Sequence, residues 1–274
     1  MLKRTRILIA VKTYPVLSQR YIELVCTAGF REDGSWIRLY PAPFRFLEDN
    51  QRYRKYQWIE LAVQKNELDK RPESYIPIDV DNIEIHEWID TKRNWVERKR
   101  LVLQKNEIYT DLSQIIKGAH QNDFSLAIFK PSKIINFKVE QVEPNWDATK
   151  QQAIEASQKQ GSLFDGFKYE DFKLIKKLPY KFSYVIQDCH GTCSRMMIED
   201  WEIGQLYWNC LKNNDKETAI EKVRQRYFAD IAQTKDVYLF LGTTYQFHFK
   251  RAPNPYVIIG VFYPPIDNQW TLFD

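Results

Sequence analysis

Residues 23–44 read ELVCTAGFREDGSWIRLYPAPF. An apolar run rich in strand formers comes first, REDGS supplies turn chemistry, and WIRLYP resumes the strand pattern, so the segment predicts a hairpin with a tight connection at Asp33-Gly34. Upstream, RILIAVKTY (6–14) is another β-forming run, which makes three strands across residues 4–41. Downstream, QWIELAVQK (57–65) sets Ile59, Leu61 and Val63 against Trp58, Glu60 and Gln64, the alternation of a half-buried strand. IPIDVDNIEIHEWI (76–89) suggests one more. Helical patterns follow in NWVERKRLVLQ (94–104) and TDLSQIIKGAHQ (110–121), where Thr110 or Asp111 is placed to cap, and SLAIFKPSKIINFKVEQVE (125–143) returns to strand. These elements predict a β-rich domain over residues 1–143 with a helical insertion.

From residue 144 to 172 the pattern breaks into Gln, Lys, Ser, Ala, Asp and Glu, and an exposed linker is expected. Residues 173–266 predict a second, α+β domain. YKFSYVIQ and CSRMMIE flank the turn DCHGT as a hairpin, two helices follow with Asp200 and Asp215 as N-caps, and DVYLFLGTT and YVIIGVFYPP close as strands. Residues 267–274 form a polar tail, and the fold class expected for the whole chain is α+β.

With 44% hydrophobic and 28% charged residues in 274, the composition is that of a soluble globular protein. No apolar run approaches bilayer length and the N-terminal residues lack a small-residue cleavage pattern, so a cytoplasmic location without membrane association is expected. Cys26, Cys189, Cys193 and Cys210 are then expected to be reduced. The net charge of +4 is uneven: residues 1–66 hold 12 Lys and Arg against 6 Asp and Glu, the remainder 28 against 30. A basic N-terminal part points to a polyanionic partner, a nucleic acid expected to be DNA.

On the WIRLYP strand, Trp36, Arg38 and Tyr40 share one face and Ile37 and Leu39 the other. Two readings stand. The row is a platform on which rings stack on bases while Arg38 meets phosphate, supported by Arg31, Arg45, Arg52 and Arg54 nearby; or the rings are core and Arg38 reaches the rim. The segment around Gly34, Trp36, Ile37, Arg38 and Pro41 resembles the opening of small OB-type modules in bacterial proteins of uncharacterised, conflict-system type. That resemblance implies an oligonucleotide-binding barrel at the N-terminus.

Two hexapeptides carry a second resemblance. QGSLFD (160–165) and QWTLFD (269–274) are similar to the bacterial sliding-clamp-binding peptide, Gln-x-[Ser/Asp]-Leu-Phe. Gln160, Ser162, Leu163 and Phe164 fit every constrained position; Gln269, Leu272 and Phe273 fit the second copy, with Thr271 in the Ser/Asp place. The resemblance implies docking on the clamp ring, with each Leu-Phe pair filling an apolar pocket and each Gln making a directed hydrogen bond. Two copies on one chain suit two pockets on one ring.

Catalytic chemistry is harder to find. There is no Gly-rich phosphate loop and no Gly-x-Ser-x-Gly. Asp188, Glu199 and Asp200 are candidates for a metal-dependent nuclease site, the alternative to a pure binding function, and only that alternative implies a divalent metal. Cys189, His190 and Cys193 lie close in sequence, but a zinc site needs a fourth ligand, and a hairpin tip explains them.

Overall fold

Ile7, Ile9, Ile37, Leu39, Ile59 and Leu61 are almost wholly buried and pack together. The strands that carry them close a five-stranded barrel in the computed structural model, which describes residues 4–18, 22–42, 44–47, 49–78, 80–149, 151, 152, 154 and 174–266. In chain order the N-terminal elements are β1 (Arg4–Lys12), β2 (Val16–Ser18), β3 (Ile22–Arg31), β4 (Trp36–Ala42), β5 (Gln57–Lys65), β6 (Ser74–Pro77), β7 (Glu84–Trp88) and α1 (Lys92–Leu103). β1 pairs antiparallel with both β3 and β5, β3 with β4 and β5 with β6, while β4 meets β6 in parallel. The circuit β1-β3-β4-β6-β5 returns to β1, an OB-like barrel, with β2 added to β3 and β7 to β5.

Local chemistry explains the corners. Gly34 takes φ of 90° between β3 and β4, and Asp33 accepts from the Ser35 amide at 2.9 Å. Gly29 lets β3 approach β1 closely, since a Cβ there would stand 2.1 Å from the Leu8 carbonyl oxygen.

The C-terminal elements are β8 (Ile108–Tyr109), α2 (Leu112–Gln121), β9 (Leu126–Phe129), β10 (Lys133–Gln141), β11 (Tyr180–Gln187), β12 (Cys193–Met197), α3 (Trp201–Leu211), α4 (Lys216–Arg224), β13 (Tyr238–Thr243), α5 (Tyr245–Phe249) and β14 (Tyr256–Phe262). One sheet runs β14-β13-β9-β8 and another β10-β11-β12, joined by a bridge between Ile198 and Ile258. The chain is α+β, as expected.

Four expectations shift. The helices expected across 94–120 form as α1 and α2, both after the fifth barrel strand. Residues 106–141, expected within the N-terminal domain, hydrogen-bond into the C-terminal sheets, β9 to β13 and β10 to β11. The Lys130-Pro131 step divides the expected continuous strand, because its two pieces serve different sheets. Finally, Ile154 lies in the stretch expected to be an exposed linker, yet it is fully buried against Leu17, with Trp146 and Leu174 packed on the pair. The caps hold: Asp111, Asp200 and Asp215 accept from Ser113, Glu202 and Thr218 amides. Among the described residues no helix is long and apolar enough to cross a membrane.

The outer face of β1, β3 and β4 is not open to solvent. Ala10, Val11, Ala28 and Phe30 form one core with Leu126, Ile128, Phe240, Ile259 and Phe262 of the C-terminal half. At its edge Arg38, 1% exposed, donates to the Ser125 hydroxyl at 2.7 Å, and that hydroxyl donates to Glu73 at 2.6 Å. Glu73 also accepts from the Ser125 amide at 2.8 Å. Beside them Asp69 pairs with Arg71, which donates to the Thr243 carbonyl across the same seam. In urea unfolding, Glu73→Ala is expected to lose about 3–5 kcal/mol, because it strands the buried Ser125 hydroxyl and amide and removes a carboxylate that acts on buried Arg38. Glu60→Ala, which breaks partly exposed contacts with Arg4 and His86, is expected to lose about 1 kcal/mol or less.

Candidate nucleic-acid interface

The row Trp36, Arg38 and Tyr40 shares a face as expected, but that face looks into the seam between the halves. Trp36 packs on Phe30 and Phe240, with ring centroids 4.1 and 5.6 Å away. Arg38 is enclosed in the Ser125–Glu73 network and so meets no phosphate at the surface; neither the open platform nor the rim position fits it. Three of the nearby arginines are also committed. Arg31 donates to the Trp36 carbonyl at 2.8 Å, Arg45 to buried Glu23 at 2.6 Å, and Arg52 to Asp49 at 2.7 Å. Arg54 differs: it is exposed, and among the described residues its guanidinium makes no hydrogen bond or ion pair.

Arg54 lines a cleft of about 370 Å³ with Lys55, Tyr56, Trp88, Thr91, Trp95, Arg98, Glu202, Val261 and Tyr263. Both halves of the chain build it. Arg98 lies over three rings, 4.1 Å from the Tyr56 centroid, 5.0 Å from Trp95 and 5.3 Å from Trp88. Its Nε donates to the Ile89 carbonyl at 2.8 Å. The Trp88 indole donates to the Lys55 carbonyl at 3.0 Å. Arg93, Asn94 and Trp95 hold positive φ of 49°, 54° and 62°, a left-handed turn that costs energy for non-glycine residues and sets Trp95 against Phe262 and Tyr263.

Behind the cleft, Lys55 donates to Asp200 at 3.0 Å and to Glu202 at 3.1 Å. Burial alone lowers a lysine's pKa, but Asp200 and Glu202 outweigh it here and raise Lys55, holding it charged. Sequence reading missed Trp88, Trp95 and Arg98. The signal was Trp95 set among the five Lys and Arg residues of 92–100, read there only as helix periodicity, with Trp88 just upstream at the end of an expected strand.

The acidic candidates do separate jobs. Asp188 accepts from the His190 and Thr192 amides at 2.9 and 2.8 Å and builds the hairpin turn. Asp200 caps α3 and pairs with Lys55. Glu199 lines a second cavity of about 430 Å³ between the halves, and its carboxylate has no hydrogen-bond or ion-pair partner among the described residues. Among the described residues the one group with three converging potential metal ligands is Glu60, Glu84 and His86, where Arg4 already pairs with both carboxylates. Cys189 and Cys193 are exposed and His190 faces Asp111 at 3.6 Å, a hairpin tip rather than a ligand set. The clamp-like peptides, Gln160, Ser162, Leu163, Phe164 and Gln269, Thr271, Leu272, Phe273, lie outside the described residues.

Residues 106–274 match the family model described as Domain of unknown function (DUF8757). The chain belongs to that family. Residues 3–104 match a second model, Domain of unknown function (DUF8758), and the two models meet where α1 ends and the C-terminal sheets begin. No curated protein matches the chain.

Glu199 yields a test. Burial raises its carboxyl above the ordinary carboxylate value, so the folded chain holds this proton more tightly than the unfolded one, and stability from this group falls as pH rises through that interval. Glu199→Gln is therefore expected to melt higher than the parent at pH 7, with the difference closing as the pH drops to about 4 and Glu199 becomes neutral in both states. Paired thermal melts across that range measure it.

Proposed function

We propose that this is a DNA-associated protein of bacterial replication, repair or phage defence, acting in the cytoplasm, that docks on the sliding clamp and grips nucleic acid. The observation that carries the reading is the recurrence of Gln-x-[Ser/Thr]-Leu-Phe at 160–164 and 269–273. A Leu-Phe pair bracketed by polar residues suits insertion into a preformed apolar pocket, with the Gln amide fixing register. The grip is assigned to the cleft at Trp88, Trp95 and Arg98 in place of the covered β3–β4 face. Aromatic rings beside uncompensated guanidinium groups supply stacking and phosphate contacts without sequence preference.

An enzymatic reading has one observation in its favour, the Glu199 carboxyl, without a partner among the described residues and lining a cavity of about 430 Å³. It predicts turnover of DNA or RNA that Glu199→Gln removes while folding persists.

The clamp reading is tested by capture on purified bacterial sliding clamp. The parent chain is expected to be retained, each double variant (Leu163→Ala with Phe164→Ala, or Leu272→Ala with Phe273→Ala) to be retained more weakly, and the quadruple variant to be lost. Retention of the quadruple variant at the parent's level removes the clamp from the proposal.

A further inference from the structure

The cleft carries positive charge that its own residues do not balance. Arg98 is 6% exposed, yet no carboxylate stands within ion-pair distance of it among the described residues. Among the described residues only its Nε has a hydrogen-bond partner, the Ile89 carbonyl. Arg54 brings to the same cleft a second guanidinium that has no partner among the described residues. Glu202 and Asp90 act on Arg98 only from beyond ion-pair distance, and Lys55 already engages Glu202, together with Asp200. A desolvated cation without a counter-ion is expensive, and stacking on Tyr56, Trp88 and Trp95 offsets only part of that cost. An anion entering the cleft would complete the balance.

The walls narrow the choice of anion. Trp88 remains 44% exposed, and Tyr263 stands across the cleft with its ring already backed by Arg226 at 5.5 Å. The volume, about 370 Å³, lies in the range of small-molecule sites, roughly 300–1,000 Å³. Flat aromatic walls beside two planar guanidinium forks suit a ligand that joins a planar ring to a phosphate.

We infer that the cleft holds a single nucleotide unit, its phosphate on Arg54 and Arg98 and its base against Trp88, Trp95 or Tyr263. The inference rests on the reading that nucleic acid enters this cleft, and it adds that recognition is of one unstacked nucleotide. A free mononucleotide and a nucleotide within a single strand present the same chemistry, and the experiment separates them.

Calorimetric titration of the full chain uses deoxyadenosine 5′-monophosphate, deoxyadenosine, single-stranded oligodeoxyadenylate, and that oligonucleotide annealed to its complement. The monophosphate is expected to bind, the nucleoside about tenfold or more weakly, and the single strand to be displaced by the monophosphate while the duplex binds worst. Arg54→Gln and Arg98→Gln are each expected to weaken the monophosphate about tenfold or more. Arg54 is exposed, so its variant keeps the parent's melting temperature and a loss there is not misfolding.

Single-strand binding that neither arginine variant changes, with no binding of the monophosphate, overturns the inference and leaves the DNA reading standing elsewhere on the surface. Monophosphate binding without oligonucleotide binding upholds the nucleotide site and removes the DNA reading. Absence of both overturns the two together.

Discussion

Arg38 is the residue around which the two halves are organised. A guanidinium buried to 1% exposure must find hydrogen bonds and a counter-charge inside the protein, and it finds a hydrogen-bond partner across the seam in Ser125, which links it to Glu73 of its own half. Parallel pairing of β4 with β6 puts Arg38 beside Ser74, directly after Glu73, so barrel closure itself delivers the carboxylate. The Arg71–Asp69 pair repeats the arrangement one step along, reaching the Thr243 carbonyl. Replacing such a set by apolar groups often stabilises a protein, so its worth here is better sought in register: a C-terminal half docked one strand residue out of place would strand the Arg38 and Arg71 donors that now reach Ser125 and Thr243.

That docking decides where the molecule can bind anything. The face that β3 and β4 present is the one that OB-type barrels usually offer to single strands, and here Phe240, Ile259 and their neighbours occupy it. Cationic and aromatic residues at that face have become interface. The same chemistry reappears on another side of the barrel, where β5, β7 and α1 bring Arg54, Trp88, Trp95 and Arg98 together. Covering one sheet face with apolar packing and leaving uncompensated cations at another is what distinguishes a glue surface from a binding surface.

Much of the barrel was legible because its signals are local. The strand at 57–65, the Asp33-Gly34 turn and three Asp caps each rest on neighbours in sequence, and each appears where expected, although Trp58 and Ala62 on the strand's other side are buried as well. The division between halves was not legible, because residues 106–141 carry ordinary strand and helix patterns whose partners lie far along the chain, in β11 for β10 and more than 100 residues away in β13 for β9. Arg38 misled for the same reason. Its alternation with Ile37 and Leu39 correctly told which face it was on, while nothing local could tell what covered that face. The cleft escaped because its residues come from positions 54 to 98, 202 and 261 to 263, a juxtaposition only tertiary structure makes.

The composition of the cleft also ties its existence to the assembled chain. Arg54, Lys55, Trp88, Trp95 and Arg98 come from the part that one family model covers, and Glu202, Val261 and Tyr263 from the other. Lys55 is buried only because Asp200, at the start of α3, meets it from the opposite half. Separated, the barrel would leave an apolar strand face and Lys55 without its counter-ions, and Trp95 would lose Phe262 and Tyr263, against which its left-handed turn is braced. The two regions are therefore one binding unit: the buried Arg38 network fixes how the halves meet, and their meeting forms the pocket and leaves its charge unbalanced.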